Sequence, residues 1–354
     1  MKTVIQYHPK MNQVVLGKGE FLMEVPFCYL NQYRKIDGVR AVGIAVHTLE
    51  VCEDSAEKIC HFIQKETDVS YVVVDTEKLE SVDELLVAMD LLYKTCQGKN
   101  IKVDLLLENS YVEQNGILKI GLFSMGKQLC KMIDELNHKC DTDVFGTCCN
   151  MGHFNALGID TCAAIEEMGE RVKLVHMNDN DGYHDMHQLP YSFTTGRADA
   201  STDWYRPIRG LFRIGYDGFM SYDLKGLWTK EPAELIPTTI DLVKEIIKEY
   251  EQAKIVWAEI MRSDKTKIFF GSGMMYDIFM QDWGEKYAPD LVVDNNPKTW
   301  GTVKHGVRIE APHTILQIPE NERNIFIMNL FYDEVGKQLR GMGVKYYEYH
   351  EFYY

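Results

Sequence analysis

Short apolar runs recur along the chain, each followed by polar residues and then by a helical pattern. The runs are TVIQYHP (3–9), FLMEVPF (21–27), RAVGIAVHT (40–48), SYVVVDT (70–76), IKVDLLLENS (101–110), DVFGTCCNMGH (143–153), RVKLVHMND (171–179) and GFMSYDL (218–224). Most are nearly continuous in apolar and β-branched residues, the pattern of strands buried on both faces of a parallel sheet. Between them lie amphipathic stretches such as SAEKICHFIQKE (55–66), SVDELLVAMDLLYKTC (81–96) and GKQLCKMIDELNHK (126–139). The first opens on a capping sequence, Asp54–Ser55 followed by Glu57. Eight strands alternating with helices over about 250 residues predict an α/β fold, a closed (β/α)8 TIM barrel. The first two units are short, with about a dozen residues between runs. An open α/β sheet is the competing architecture.

A helical pattern over 232–263 closes the barrel, and the alternation then restarts. KIFFGSG (267–273), LVVDNN (291–296), VRIEAP (307–312), NIFIMNL (324–330) and VKYYEYH (344–350) read as strands, with a helix at YDEVGKQLRGMG (332–343). The expected division is a barrel over 1–263 and a second, smaller α/β domain over 264–354.

Composition narrows the function classes. Of 354 residues, 38 are Lys or Arg and 53 are Asp or Glu, a net charge of −15. That balance opposes phosphate backbones, so neither nucleic acid nor an anionic membrane is expected as a partner. No run of apolar residues is long enough for a transmembrane helix, and the first residues lack the apolar core of a signal peptide. The nine cysteines form no CxxC pair. They are expected as free thiols of a cytoplasmic protein. Association into a homo-oligomer is compatible with all of this.

The candidate chemistry lies where polar residues end the apolar runs. Glu108 ends LLLE, Asn150 ends FGTCCN with His153 three residues on, His176 ends KLVH, and Asp223 ends SYD. In a parallel barrel the carboxyl ends of all strands open on one face, so these side chains should converge there. Glu, Asn, His and Asp together suit a divalent ion such as Mn, Mg or Zn.

These residues carry a resemblance. From about 101 to 224 the chain resembles the xylose-isomerase-like TIM barrel superfamily, which includes sugar isomerases, ketose 3-epimerases, inosose dehydratases and family-2 AP endonucleases. The matching pieces are LLLEN, CCNMGH, KLVHMND, DMH (185–187) and IGYDGFMSYDL, in the family's order. The resemblance implies metal ligands at Glu108, Asn150, His176 and Asp223, with Glu108 and Asp223 also the pair of bases. It places His153 on substrate hydroxyls, and Asp185 and His187 in the same mouth as substrate contacts or ligands of a further metal. The family has Asp at Asn150 and Glu at Asp223, so this site carries one negative charge fewer and one shorter carboxylate. The implied reaction is proton abstraction next to a carbonyl of a sugar or sugar derivative, through an enediolate. The competing reading is a non-catalytic carbohydrate-binding or scaffold protein with a degenerate metal site. The endonuclease branch would draw on His8, His47 and Asp75, and the net charge opposes it.

The long segment after His176 holds Tyr183, Tyr191, Arg197, Trp204 and Arg206. Aromatics stack on sugar faces, and Arg197 could pair with a phosphate or carboxylate of the substrate; a covering loop packed on the barrel is the alternative. In the C-terminal unit, FFGSGMMYD starts as a glycine turn, with Gly271 and Gly273, and Asp294 ends the next strand where a ribose-binding acid would sit. With VVDNNPKTWGT it resembles a small Rossmann-like domain appended to sugar-modifying enzymes. Nucleotide or nucleotide-sugar binding there, or a docking role, are both open.

Overall fold

Eight parallel strands close on themselves in a computed structural model that describes residues 1–16, 20–77, 79, 81–192, 204–262 and 264–349. The strands are β1 (Lys2–Gln6), β2 (Phe21–Pro26), β3 (Val39–His47), β4 (Tyr71–Asp75), β5 (Asp104–Glu108), β6 (Phe145–Asn150), β7 (Val172–Met177) and β8 (Phe219–Tyr222). Each pairs in parallel with its neighbours in sequence, and β8 pairs with β1 to close the barrel. The expected (β/α)8 architecture is therefore present, and an open sheet is excluded.

The short early connections hold single turns of 3-10 helix, Pro9–Gln13 after β1 and Phe27–Tyr29 after β2. Full crossover helices begin after β3: α1 (Glu53–Lys65), α2 (Val82–Gly98), α3 (Gly126–Cys140), α4 (Met151–Ala156), α5 (Thr161–Met168), α6 (Tyr205–Arg213), α7 (Lys225–Lys230) and α8 (Ile236–Met261). The cap of α1 falls earlier than its sequence suggests. Cys52 is the capping residue, and the Ser55 hydroxyl reaches back to the Cys52 N–H at 2.7 Å. A hairpin, Val112–Gln114 with Ile117–Lys119, follows β5 and turns on Asn115 and Gly116, both at positive φ.

The barrel interior changes character along its axis. One layer is apolar: Val4, Val42, Tyr71, Val73, Leu106, Cys148 and Leu174 pack together, all buried. Burying each such large side chain is worth about 1.5–3 kcal/mol. Gly43 on β3 makes room for the Tyr71 ring, since a Cβ there would lie 2.1 Å from ring carbons. Towards the carboxyl ends the interior turns polar, with Glu24, Glu108, Asn150 and His176 buried.

The described residues form two compact units, dividing between Ile247 and Lys248 within α8. The second unit holds β9 (Thr266–Phe270), α9 (Met274–Tyr287), β10 (Leu291–Val293), β11 (Val303–Lys304), β12 (Val307–Glu310), β13 (Arg323–Ile327), α10 (Tyr332–Gly341) and β14 (Tyr347–Glu348). Its sheet runs β11-β12-β10-β9-β13-β14, parallel except for the β11–β12 pair. The order reverses between β9 and β13, as in a doubly wound sheet. Its core is Ile268, Phe270, Val293, Ile315, Ile325 and Ile327 with Val335 and Leu339 of α10.

Candidate active site at the barrel mouth

The strand register sets the site. Asn150 pairs with His176 across β6–β7, Glu108 pairs with Cys148 across β5–β6, and Ser221 of β8 pairs with His176. Glu108 and Asn150 are the last residues of their strands, His176 is the last but one of its strand, and Asp223 follows β8 directly.

Local structure then fixes each side chain. Asn150 is also the N-cap of α4: its Oδ1 accepts the His153 N–H at 3.1 Å, which draws His153 over the site. Between them, Gly152 admits Asn178, because a Cβ there would lie 1.9 Å from Asn178 Oδ1. Asn178 Nδ2 donates to Asn150 Oδ1 at 3.0 Å. Both contacts hold the Asn150 oxygen, so its Nδ2 faces inward and donates to Glu108 Oε1 at 2.7 Å. The loop after β7 is pinned by an antiparallel bridge, Asp179 to Gln188. It presents Asp185 and then His187, whose φ is +49°. This left-handed conformation is uncommon for a residue with a Cβ.

A continuous buried chain of polar contacts results. His176 lies between two carboxylates, with Nδ1 2.7 Å from Glu108 Oε1 and Nε2 3.1 Å from Glu24 Oε2. Glu24 also accepts from the Tyr71 hydroxyl at 3.0 Å. From Glu108 the chain passes through Asn150 Nδ2 to His153 Nε2 at 3.2 Å. His153 Nε2 is 3.7 Å from Asp185 Oδ1. Asp185 Oδ2 meets His187 Nε2 at 2.7 Å, and His187 Nδ1 meets Asp223 Oδ2 at 2.9 Å. Tyr111 donates to Asp185 at 3.0 Å.

The electrostatics follow from this packing. Burial disfavours charge on Glu108, but the neighbouring His176 outweighs it and holds the carboxyl below its ordinary range. Burial likewise opposes charge on His187, yet Asp223 and Asp185 raise its pKa to about 10. Asp223 is held low by His187 against the cost of its own burial. Asp75, at the end of β4, rises to about 6 through burial and the nearby Glu108.

The structure therefore gathers Glu108, Asn150, His153, His176, Asp185, His187 and Asp223 at one mouth, but in two groups. Glu108, Asn150 and His176 touch one another, whereas Asp223 sits against His187. Two sets have the donor chemistry of a divalent-ion site, Glu108–Cys148–His176 and His153–Asp185–His187. Buried Oδ1 atoms of Asp185 and Asp223 have no hydrogen-bond partner, which leaves oxygen donors available. These residues fit a divalent ion; the Asn150 carbonyl oxygen is committed elsewhere. A third set, His47–Asp75–Glu77, lies at the ends of β3 and β4.

Arg197 lies outside the described residues. Trp204 is buried, its ring 6.1 Å from that of Tyr191, and Tyr183 is exposed. Residues that the sequence did not single out contribute as well: Glu24, Tyr111 and Asn178. Glu24 could have been noticed as the one acid inside an otherwise apolar run, FLMEVPF.

In the second unit, Gly271, Gly273 and Asp294 meet at the carboxyl ends of β9 and β10. Gly271 has φ +120°, and Gly273 is the N-cap of α9. Asp294 Oδ2 accepts from the Ser272 N–H and hydroxyl at 2.8 and 2.6 Å, and its Oδ1 accepts from the Asn296 N–H. Both oxygens of Asp294 thus serve the turn.

No protein-family model matches the sequence, and no curated protein matches it. Solved structures of similar shape include a 3-keto-D-glucoside 4-epimerase from E. coli, 12% identical, covering 69% of this chain and 99% of that chain at a TM-score of 0.49. A xylose isomerase domain protein from Alicyclobacillus acidocaldarius is 11% identical, covering 70% and 99% with a TM-score of 0.47. The IOLI protein with a binding zinc atom is 13% identical, covering 71% and 99% with a TM-score of 0.46. At these values each is a likeness of shape alone. Among the described residues no helix is long and apolar enough to cross a membrane.

Proposed function

We propose that the barrel mouth is the active site of an isomerase or epimerase acting on a sugar or sugar derivative, as the motif resemblance in residues 101–224 implies. The observation that carries this reading is a pair of half-tethered carboxylates. Glu108 has Oε1 fixed by His176 and Asn150, and Asp223 has Oδ2 fixed by His187. The second oxygen of each makes no hydrogen bond with a described residue. A carboxylate oriented by one oxygen and free at the other is equipped to take a proton from carbon and return it. Two of them at one mouth suit removal on one face of a carbon and return on the other.

The surrounding residues divide the remaining work. His153 and Asp185 Oδ1, which accepts no hydrogen bond, would hold substrate hydroxyls and so fix which carbon faces the bases. His176 and His187 orient the two carboxylates. The set Glu108–Cys148–His176, or His153–Asp185–His187, would hold a divalent ion, which when bound would polarise the substrate carbonyl.

One feature favours a second reading, a carbohydrate-binding barrel without turnover. The Asn150 amide satisfies Glu108 where an acidic residue would have offered an oxygen to a cation.

Incubation in D2O with a panel of ketoses and inososes separates the two. Turnover incorporates solvent deuterium next to the carbonyl, and a purely binding barrel incorporates none. Substitution Glu108→Gln should abolish incorporation from one epimer of a substrate pair, since the amide retains the hydrogen-bonding shape without the base.

A further inference from the structure

β2 returns to β3 through a single 3-10 turn, Phe27–Tyr29, and not through a crossover helix. The flank of α1 that such a helix would cover is left open. A cleft of about 680 Å3 lies there, between residues 27–34 and α1. Small-molecule sites have volumes of about 300–1,000 Å3.

The lining combines two kinds of surface. Phe27, Leu30, Tyr33 and Phe62 supply an apolar and aromatic part. Tyr33 and Phe62 are buried, with their rings 5.4 Å apart. The Tyr33 hydroxyl is buried and meets no hydrogen-bond partner, an uncommon state for a buried polar atom. The other part is cationic. Lys58, His61 and Lys65 stand at i, i+3 and i+7 of α1 and so share one face of the helix. Arg34 joins them from the segment after β2. Its Nη1 donates to the Asn31 and Tyr33 carbonyl oxygens at 3.1 and 3.0 Å, which anchors the guanidinium at the cleft.

Acids compensate these cations only in part. Glu57 is the one carboxylate among the lining residues, and it pairs with Lys99 at 2.9 Å. Lys58 pairs with Asp54 at 2.5 Å, whereas Arg34 and Lys65 meet no carboxylate among the described residues. The chain carries a net charge of −15 and repels anions at large. An under-compensated group of cations in a cleft is where an anion would nevertheless bind. From Lys58 to Lys65 the helix rises about 10 Å, which is longer than one phosphate and suits a chain of them.

We propose that this cleft binds a nucleoside triphosphate, with its base against Phe27, Leu30 and Tyr33 and its phosphates along Lys58, His61, Lys65 and Arg34. A polar atom on the edge of the base pairs with the Tyr33 hydroxyl. The site shares no residue with the barrel mouth and does not depend on the isomerase or epimerase reading.

Calorimetric titration of the full chain with ATP, adenosine and sodium tripolyphosphate tests it. ATP should bind at least about tenfold more tightly than either fragment, because each fragment makes only part of the contacts. Arg34→Ala combined with Lys65→Ala should weaken ATP binding about tenfold or more. Both residues are exposed, and thermal unfolding checks that the fold is kept. Lys127→Ala, at an exposed lysine of α3, should leave ATP binding unchanged. A second readout locates the ligand. Cys28 lines the cleft and is exposed, and Cys52 is exposed without lining it. ATP at about ten times its Kd should slow alkylation of Cys28 by iodoacetamide about tenfold and leave Cys52 unaffected. Absence of ATP binding overturns the proposal. So does adenosine or tripolyphosphate binding as tightly as ATP, since one part of the lining would then be idle. ATP binding that survives the double substitution, or that leaves Cys28 unprotected, puts the nucleotide elsewhere, such as at the glycine turn of the second unit, and also overturns it.

Discussion

Asn150→Asp puts a second carboxylate directly against Glu108, and its consequences can be worked from the geometry. The new side chain keeps the two contacts of Oδ1, to the His153 N–H and Asn178 Nδ2. Its other oxygen replaces an amide that donates to Glu108 Oε1 at 2.7 Å. Both positions are buried. Two full charges at that distance repel by about 6 kcal/mol at an effective dielectric of about 20. His176 remains on Glu108 and the pair can share a proton, so a net cost of about 3 kcal/mol is expected, or about 2 pKa units. The sign follows from linkage. A carboxyl whose pKa is raised on folding destabilises the fold above its unfolded value. The deficit should be small near pH 4, grow as pH rises through about 6, and then level off. Urea unfolding of wild type and variant from pH 4 to 8 measures it. Added Mn2+ should restore stability to the variant more than to the wild type, because the new oxygen is a ligand where the amide was not. A deficit below about 0.5 kcal/mol that does not vary with pH would refute the contact between Asn150 and Glu108. A deficit that Mn2+ does not relieve would count against an ion at Glu108–His176.

Two further outcomes follow from neighbouring contacts. His187, raised to about 10 by Asp223 and Asp185, contributes stability that is full below its unfolded pKa and lost as pH rises through the folded one; His187→Asn should remove on the order of 3 kcal/mol at pH 6.5 and flatten the wild-type decline between pH 7 and 10, and parallel curves for the two proteins would count against the pairing. Gly43→Ala should destabilise by about 1–3 kcal/mol or more, because its Cβ meets the Tyr71 ring at 2.1 Å. Gly43→Ala combined with Tyr71→Leu should cost less than the two changes summed, and simple additivity in thermal unfolding would show that the ring is not the obstacle.

The barrel was legible because its strands are written in an unbroken code. VVV in β4 and LLL in β5 are buried on both sides, and only a sheet covered on both faces asks for that. The mouth was legible for a related reason: Glu108, Asn150 and His176 stand where apolar runs stop, and parallel strands stop on one face. Other features gave little sign. Glu24 interrupts its run one turn of alternation before the end, so it reads as an anomaly within β2 until the partners of its oxygens, Tyr71 and His176, are known. The partition into Glu108–Asn150–His176 and His187–Asp223 depends on side-chain directions that spacing does not encode. The hairpin after β5 did carry a local signal, Asn115–Gly116 between β-forming residues, which the larger strand–helix alternation obscured.

In the proposed reaction Glu108 and Asp223 act on opposite faces of one carbon. Deuterium incorporation from D2O, started separately from each epimer of a substrate pair, tests it most directly. Glu108→Gln should lose exchange from one epimer and keep it from the other, and Asp223→Asn should show the reverse. Full exchange from both epimers in both variants would contradict the claim.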